Sequence, residues 1–326
     1  MELVVVLCTY NGAAYLPALL AGMLAQSRLP ARLVVRDDGS SDATVDLLQS
    51  FAAAAPFAVD LTLNGSTLGS TANFAAALAE AAASSPNALL VLADQDDLWR
   101  ADKLERLAAA CADPTVGAVF SDAELVDDDL QPYPYLLWQA AGFGPRERAL
   151  AAEGRLFEVL LRHNVVTGAT LACRAELITK LLPIPGEWIH DAWMALLLAA
   201  VSKVVAVDAP LIRYRQHAGQ QHGAPRWKLS DRLRHALRTG GRELATQRRL
   251  AEDIRRSSLI RQQLLQLGAA PALLALLDAK LNHLDTRAGL HRRSLLARCL
   301  PALAELPGYR RFANGWATLL KDVVFS

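Results

Sequence analysis

"ALLVLADQDDLWRADKL" (residues 88–104) sets six apolar residues against a knot of acid. Ala88–Ala93 runs without a charge or a break, as a strand buried on both faces does. Asp94, Asp96 and Asp97 then arrive within four positions. Three carboxylates repel one another, and burying them costs free energy unless a cation or hydrogen-bond donors compensate. Acids at the mouth of a hydrophobic sheet therefore need a physical reason.

The same unit repeats on either side of this stretch. Leu3–Cys8 is a β-rich apolar run, followed by a helical stripe of Tyr15, Leu16, Leu19, Leu20, Met23 and Leu24. Leu33–Arg36 reads as a strand, and Ala43–Ala55 as a helix with Asp42 as N-cap. Val59–Leu63, Ser70–Ala83, Ala101–Ala112 and Gly117–Phe120 continue the alternation. Continuous apolar strands separated by helices predict an α/β domain, a mainly parallel sheet with helices on both faces. Ligands of such sheets sit at the carboxyl ends of the strands. Those ends carry Thr9-Tyr10-Asn11, Asp37-Asp38 and the Asp94–Asp97 cluster.

Further along, residues 130–160 are punctuated by Pro and Gly, with aromatics that look exposed, and read as a loop or lid. Residues 164–174 are strand-like, 190–200 form a short helix, and Val204–Val207 and Leu211–Tyr214 read as two closing strands. From about Trp227 the composition changes to Leu, Arg and Gln, with helices expected over Leu229–Arg238, Arg242–Leu267 and Pro271–Arg298. Charge divides at the same place. Residues 1–222 hold 15 basic and 25 acidic side chains, a net of −10, and residues 223–326 hold 19 and 8, a net of +11. The expected domains are 1–222, catalytic, and 223–326, a basic α-helical region.

Several classes fall away. The loop "CTYNGAAYL" lacks the dinucleotide-binding glycine pattern, and no phosphate-binding GxxxxGK[ST] loop occurs. Four scattered cysteines (Cys8, Cys111, Cys173, Cys299) suit reduced thiols in the cytoplasm better than a disulfide frame or a zinc site. No apolar run is long enough for a bilayer span, and the first residues lack a signal-peptide pattern. The arginines of the tail lack interleaved aromatics, so no nucleic-acid partner is expected. What remains for Asp94-Gln95-Asp96 is a hard divalent ion, Mn²⁺ or Mg²⁺, which takes one or two carboxylates and fills its other positions with water and phosphate oxygens. The plain alternative is that these acids are turn and cap residues of the helix that follows.

Six segments in order, "VVVLCTYNGAAYLPALLAGMLAQ", "VVRDDGSSDAT", "NGSTLGSTANFAAAL", "LADQDDLWRADKL", "NVVTGATLACR" and "IHDAWMA", resemble the inverting family 2 glycosyltransferases of GT-A fold over about residues 2–217. "ADQDDLW" and "YRQHAGQQHG" are most similar to bacterial rhamnosyltransferases. The resemblance implies transfer of a sugar from a nucleotide-diphospho-sugar, dTDP-rhamnose being the first candidate, to a saccharide or lipid-linked saccharide of the cell envelope. It implies that Thr9, Tyr10, Asn11 and Gln95 seat the nucleotide or donor and that Asp38 meets the base or ribose. It places Asp94 and Asp96 at the metal, Asp97 near the donor sugar or metal, His217 at the metal or diphosphate, and Asp191 as general base. Trp99 and Lys103 are expected to be packing and surface residues. Each role has an ordinary rival: Asp38 a turn, Asp191 an N-cap, His217 a solvated loop residue.

A glycosidase also uses paired acids, but that reading leaves the strand-end nucleotide residues unexplained. A nucleotidyltransferase would want a basic loop after the first strand, and "TYNGAAYLP" has none. A non-catalytic nucleotide-sugar or polysaccharide-binding module on the same scaffold is the alternative from outside enzymology. The basic tail is expected to pack on the catalytic domain or a second copy, or to lie on an anionic membrane surface.

Overall fold

Leu89–Asp94 is indeed a strand, the fourth in chain order, in a computed structural model that describes residues 1–217, 242–291, 293 and 295–324. The alternation runs β1 (Leu3–Thr9), α1 (Leu16–Leu24), β2 (Arg32–Asp37), α2 (Thr44–Ala54), β3 (Ala58–Leu63), α3 (Ser70–Ser84), β4 (Leu89–Asp94), β5 (Leu98–Trp99), α4 (Lys103–Ala110) and β6 (Val116–Val126). Every residue of β1 except Cys8 is buried, because helices cover both faces of the sheet. Pro17 sits in the first turn of α1, where its missing N–H has no partner to lose. The alanines of α3 let that helix approach β1 and β2 closely, with Phe74, Ala77, Leu78 and Ala81 turned inward. Asp42 lies one residue ahead of the α2 N-cap, Ala43, and accepts from the Thr44 and Ala13 amides.

The strands order as β3-β2-β1-β4-β8-β6-β9-β5, with β7 (Pro132–Leu136) on β6. The first four are mutually parallel. Then β8 (Leu171–Arg174) runs antiparallel to both β4 and β6, so the sheet is less parallel than its alternation implies. Apolar content tells that a strand is buried and not which way it runs. Lys203–Arg215 is one strand, β9, rather than two. A register shift opposite Ser121 and Asp122 absorbs Asp208-Ala209 without ending it, and Pro210 pairs with Asp122.

Residues 130–160 are not a lid. They contain β7, α5 (Leu137–Ala141), α6 (Pro145–Ala152) and the start of α7 (Leu156–Arg162). Trp138 and Phe143 pack on Phe120 at ring distances of 5.6 and 5.5 Å, and the Trp138 indole donates to the Ser121 carbonyl. A sequence cannot show that aromatics among prolines and glycines are covered by a strand some twenty residues earlier.

After α8 (Ile178–Leu181) and α9 (His190–Val201), the helices of the tail are α10 (Arg242–Gln266), α11 (Pro271–Leu290), α12 (Leu295–Ala304), α13 (Leu306–Phe312) and α14 (Trp316–Val324). The helix expected over Leu229–Arg238 lies outside the described residues. The one expected to run to Arg298 ends at Leu290. Arg298 is buried and donates to the Arg293 carbonyl, one of the acceptors that a helix break leaves without a helical partner.

The chain divides into two compact units, Met1–Leu156 with Asn164–Pro225, and Phe157–His163 with Arg226–Ser326. The first has a large core on one face of the sheet, around Leu3, Val5, Leu7, Val35 and Val91, with Val4, Val6 and Leu92 buried on the other; the second has a small one around Leu290, Ala302, Tyr309 and Leu319. All four cysteines are free. Among the described residues no helix is long and apolar enough to cross a membrane.

Candidate active site

Thr9 pairs with Asp37 in the β1–β2 register and Cys8 with Asp94 in the β1–β4 register, so three polar strand ends lie side by side. Winding reverses between β1 and β4, and crevices open at the carboxyl edge at such points. Asp37, noted from the sequence as a strand-end acid but given no role of its own, organises this edge. Its Oδ2 accepts from Thr9 Oγ1 (2.7 Å) and Ser40 Oγ (2.6 Å), and its Oδ1 from the amides of Gly39 and Ser40.

Asp38 is buried and its carboxylate is engaged inside the protein. Oδ1 accepts from Asn64 Nδ2 and the Leu68 amide, and Oδ2 from the Gly69 amide, each at 2.8 Å. Asp38 thus builds the loop at 64–69. Replacing it by Ala strands three donors, and Asp38→Ala is expected to destabilise the protein by about 3 kcal/mol. Urea unfolding checks this, since an aspartate whose only duty is a ligand contact would leave the midpoint unchanged.

The loop after β1 is held by the acidic turn itself. Gln95 exchanges two hydrogen bonds with the Tyr10 backbone, accepting its N–H at 2.9 Å and donating to its carbonyl at 3.0 Å. A Cβ on residue 12 would stand 2.2 Å from Gln95 Oε1, which is why glycine is there. Asn11 takes a left-handed φ of 46° and accepts from the Ser41 amide, and the Tyr10 ring is exposed.

Among the acids, Asp97 is fully buried; Oδ1 accepts from the Arg215 amide at 3.3 Å, and Oδ2 has no hydrogen-bond partner among the described residues. Burial raises its pKa well above the carboxylate range, and the charges of Asp96 and Asp94 add to the rise. Burial, with Asp96 and Asp191 nearby, likewise pushes Asp94 up to about 7. Asp96 Oδ2 lies 2.8 Å from His217 Nε2, so the structure sets His217 beside one of the proposed metal acids. Arg215 donates to the carbonyls of Asp96 and Asp128 and lies over the Tyr15 ring, which also packs on His217. From the sequence Tyr15 read only as part of a helical stripe and Arg215 had no role of its own, because their partners come from distant parts of the chain.

Lys103 corrects a sequence expectation: it is fully buried, not a surface residue. Its ammonium donates to the Ala169 carbonyl at 2.8 Å and stands 3.8 Å from the centre of the Trp99 ring. Burial lowers its pKa to about 7, against the opposing pull of Asp97 and Asp94. A cation inside the site meets part of the cost of gathering acids there.

The turn Gly168–Thr170 lies against β4, and the Gly168 amide donates to Asp191 Oδ2 at 3.2 Å. Asn164 Nδ2 reaches Asp191 Oδ1 at 3.4 Å. A Cβ on residue 168 would meet His190 Nε2 at 2.9 Å, so glycine lets the start of α9 come this close. The N-cap of α9 is Ile189, so Asp191 sits in the first turn and is not the cap. Burial raises its carboxyl to about 6, with the Gly168 and Ala192 amides opposing. The site joins Asp94, Asp96 and Asp191 electrostatically, although nearly a hundred residues separate them.

Among the described residues no three His, Cys, Asp or Glu side chains form a group able to cage a metal ion. Hard oxygen donors on Asp94 and Asp96, together with the unpartnered Asp97 oxygen, fit Mg²⁺ or Mn²⁺.

Residues 4–168 match the family described as Glycosyl transferase family 2. An uncharacterized glycosyltransferase of Nostoc sp., alr2836, is 27% identical over 236 residues, covering 68% of this chain and 67% of its own. Among solved structures, S. aureus TarS 1–349 in complex with UDP-GlcNAc superposes with a TM-score of 0.55 at 15% identity, over 99% of this chain and 82% of that one. The mannosyltransferase PcManGT from Pyrobaculum calidifontis, in complex with GDP-Man and Mn²⁺, does so with 0.50 at 21% identity, over 99% and 86%. At such identities these likenesses establish the fold, a mixed α/β sheet of GT-A type with a helical C-terminal region.

Proposed function

Because the chain belongs to glycosyl transferase family 2, we propose that it transfers a sugar from a nucleotide-diphospho-sugar to an acceptor hydroxyl by single displacement with inversion. The observation that carries this reading is Asp191, a carboxylate with a pKa raised to about 6 by burial, held by Gly168 and Asn164 and electrostatically joined to the acids at the end of β4.

In the proposed reaction Asp191 accepts the acceptor's hydroxyl proton as its oxygen bonds to the anomeric carbon. The bond from that carbon to the diphosphate oxygen breaks, and the nucleoside diphosphate leaves from the opposite face. Thr9, Tyr10 and Asn11 seat the nucleotide at the end of β1, on the loop that Gln95 braces. Asp38 serves by shaping the loop at 64–69. Asp94 and Asp96 would hold the divalent ion, with His217 orienting Asp96 and Asp97 facing the donor sugar. The ion supplies positive charge that stabilises the diphosphate as a leaving group. Every other contribution is positioning, which brings the reactants together without a diffusional encounter.

The donors of two structural relatives, UDP-GlcNAc and GDP-mannose, together with dTDP-rhamnose from the sequence resemblance, define the test. Incubation with dTDP-rhamnose, UDP-GlcNAc and GDP-mannose, with Mn²⁺ and simple saccharide acceptors, should give nucleotide release with one donor and a product of inverted anomeric configuration by NMR. Retained configuration would overturn the displacement. Binding without transfer or donor hydrolysis would favour the non-catalytic module. Thermal melting tests the ion separately. Mn²⁺ with the preferred donor at a hundredfold excess over its Kd should stabilise the protein by about 2.7 kcal/mol. Asp94→Asn and Asp96→Asn should lose most of that gain.

A further inference from the structure

The C-terminal helices expose apolar side chains that nothing in the transfer reaction uses. On α12, Ala302 and Arg298 turn inward while Leu300 and Leu303 are 80% and 48% exposed. On α14, Leu319 and Asp322 turn inward while Trp316, Leu320 and Val324 are each about half exposed. The rotation of α14 is set from within, because buried Asp322 accepts from Arg287 at 2.6 Å and from the Tyr309 hydroxyl at 2.8 Å. Burying Leu319 and Asp322 turns the stripe of Trp316, Leu320 and Val324, spaced four apart, outward. The two helices pack on each other, so both stripes belong to one small helical body.

Charge selects the occupant. Among the described residues from 293 to 324, every exposed charged side chain is positive: Arg293, Arg310, Lys321 and Arg311, the last of which pairs with Glu158 at 3.5 Å. The two acids of the segment are withdrawn. Asp322 has no exposure, and half-buried Glu305 lies 2.7 Å from His283. A second copy of the chain would bring this cationic rim against itself across a twofold axis, whereas an anionic lipid surface complements it. Leu and Trp side chains on short amphipathic helices suit the boundary between headgroups and acyl chains, where the indole keeps its N–H wet. We infer that the face formed by Leu300, Leu303, Trp316, Leu320 and Val324, with its rim of arginine and lysine, docks the protein peripherally on an anionic bilayer.

The inference is independent of the catalytic reading and is tested without activity. The full chain is sedimented with vesicles of phosphatidylcholine mixed with phosphatidylglycerol, and with phosphatidylcholine alone. The chain should pellet with the anionic vesicles, and less so as salt rises. A Leu300→Ser/Trp316→Ser/Leu320→Ser variant, checked for unchanged circular dichroism, should partition at least about tenfold more weakly, since the bound apolar area falls by several side chains. An Arg310→Gln/Arg311→Gln/Lys321→Gln variant should lose the preference for anionic lipid. Equal pelleting of all three proteins would overturn the inference. So would a dimer on gel filtration that the serine variant dissolves, since the second copy would then own the face.

Discussion

Asp191→Asn should leave a folded protein whose transfer rate falls roughly a thousandfold, the usual worth of a positioned general base. The amide oxygen can still accept from Gly168, so the local structure persists, but it takes up no proton at neutral pH. Acidity supplies the second reading. A base must be ionised to act, and burial raises Asp191 to about 6, so kcat/KM of the wild type should climb as pH rises through about 6. Asp94 and Tyr214 feel the charge of Asp191 and share the site. Stability moves the other way. The folded pKa exceeds the unfolded one, so ionising Asp191 opposes folding above about pH 6 and has no effect below about pH 4. The asparagine variant is therefore expected to melt at or above the wild-type temperature at pH 7.5. Transfer at wild-type rate by the folded variant would remove Asp191 from the chemistry.

The largest effect on stability is expected at Lys103. Its ammonium has no exposure and supplies a buried positive charge beside Asp97 and Asp94. Lys103→Met keeps the length of the side chain and deletes the charge. Asp94, pushed up to about 7, then loses the cation that favours its ionised form, Asp97 keeps one oxygen short of a partner, and the Ala169 carbonyl loses its donor. Breaking a buried pair on one side costs about 3–5 kcal/mol, which should appear as a lowered urea midpoint. The double variant Lys103→Met/Asp97→Asn should recover part of the loss, because Asp94 alone is then left without the lysine's charge. A double variant no more stable than the single one would show that the lysine acts through its contacts with Trp99 and Ala169 rather than through the acid.

Both variants bear on how much could be read from residues alone. The first four parallel strands were legible because an apolar run flanked by helical stripes has few other ways to be buried. The polar groups at the ends of β1, β2 and β4 were legible for the same reason, since a parallel sheet brings its carboxyl ends to one edge. Asp191 could be named only through the order of motifs, because no local pattern ties it to Asp94. The aromatics at 130–160 and Lys103 were misjudged together. Each was assigned by its immediate neighbours, and each is covered by segments remote in the chain, β6 in one case and the Gly168–Thr170 turn in the other.

Residue order by itself therefore determined the alternation of strands and helices from Leu3 to Phe120 and which edge of the sheet carries the polar groups, because hydrophobic periodicity and connection length are local properties. Only the tertiary structure decided that β8 runs against its neighbours, that Lys103 lies inside among the acids, that the carboxylate of Asp38 is taken up by the loop at 64–69, and that Trp316 faces outward. Those outcomes rest on burial and on contacts between distant residues. The environment of a charge or a ring is set by what folds over it, and that covering is not written beside it in the chain.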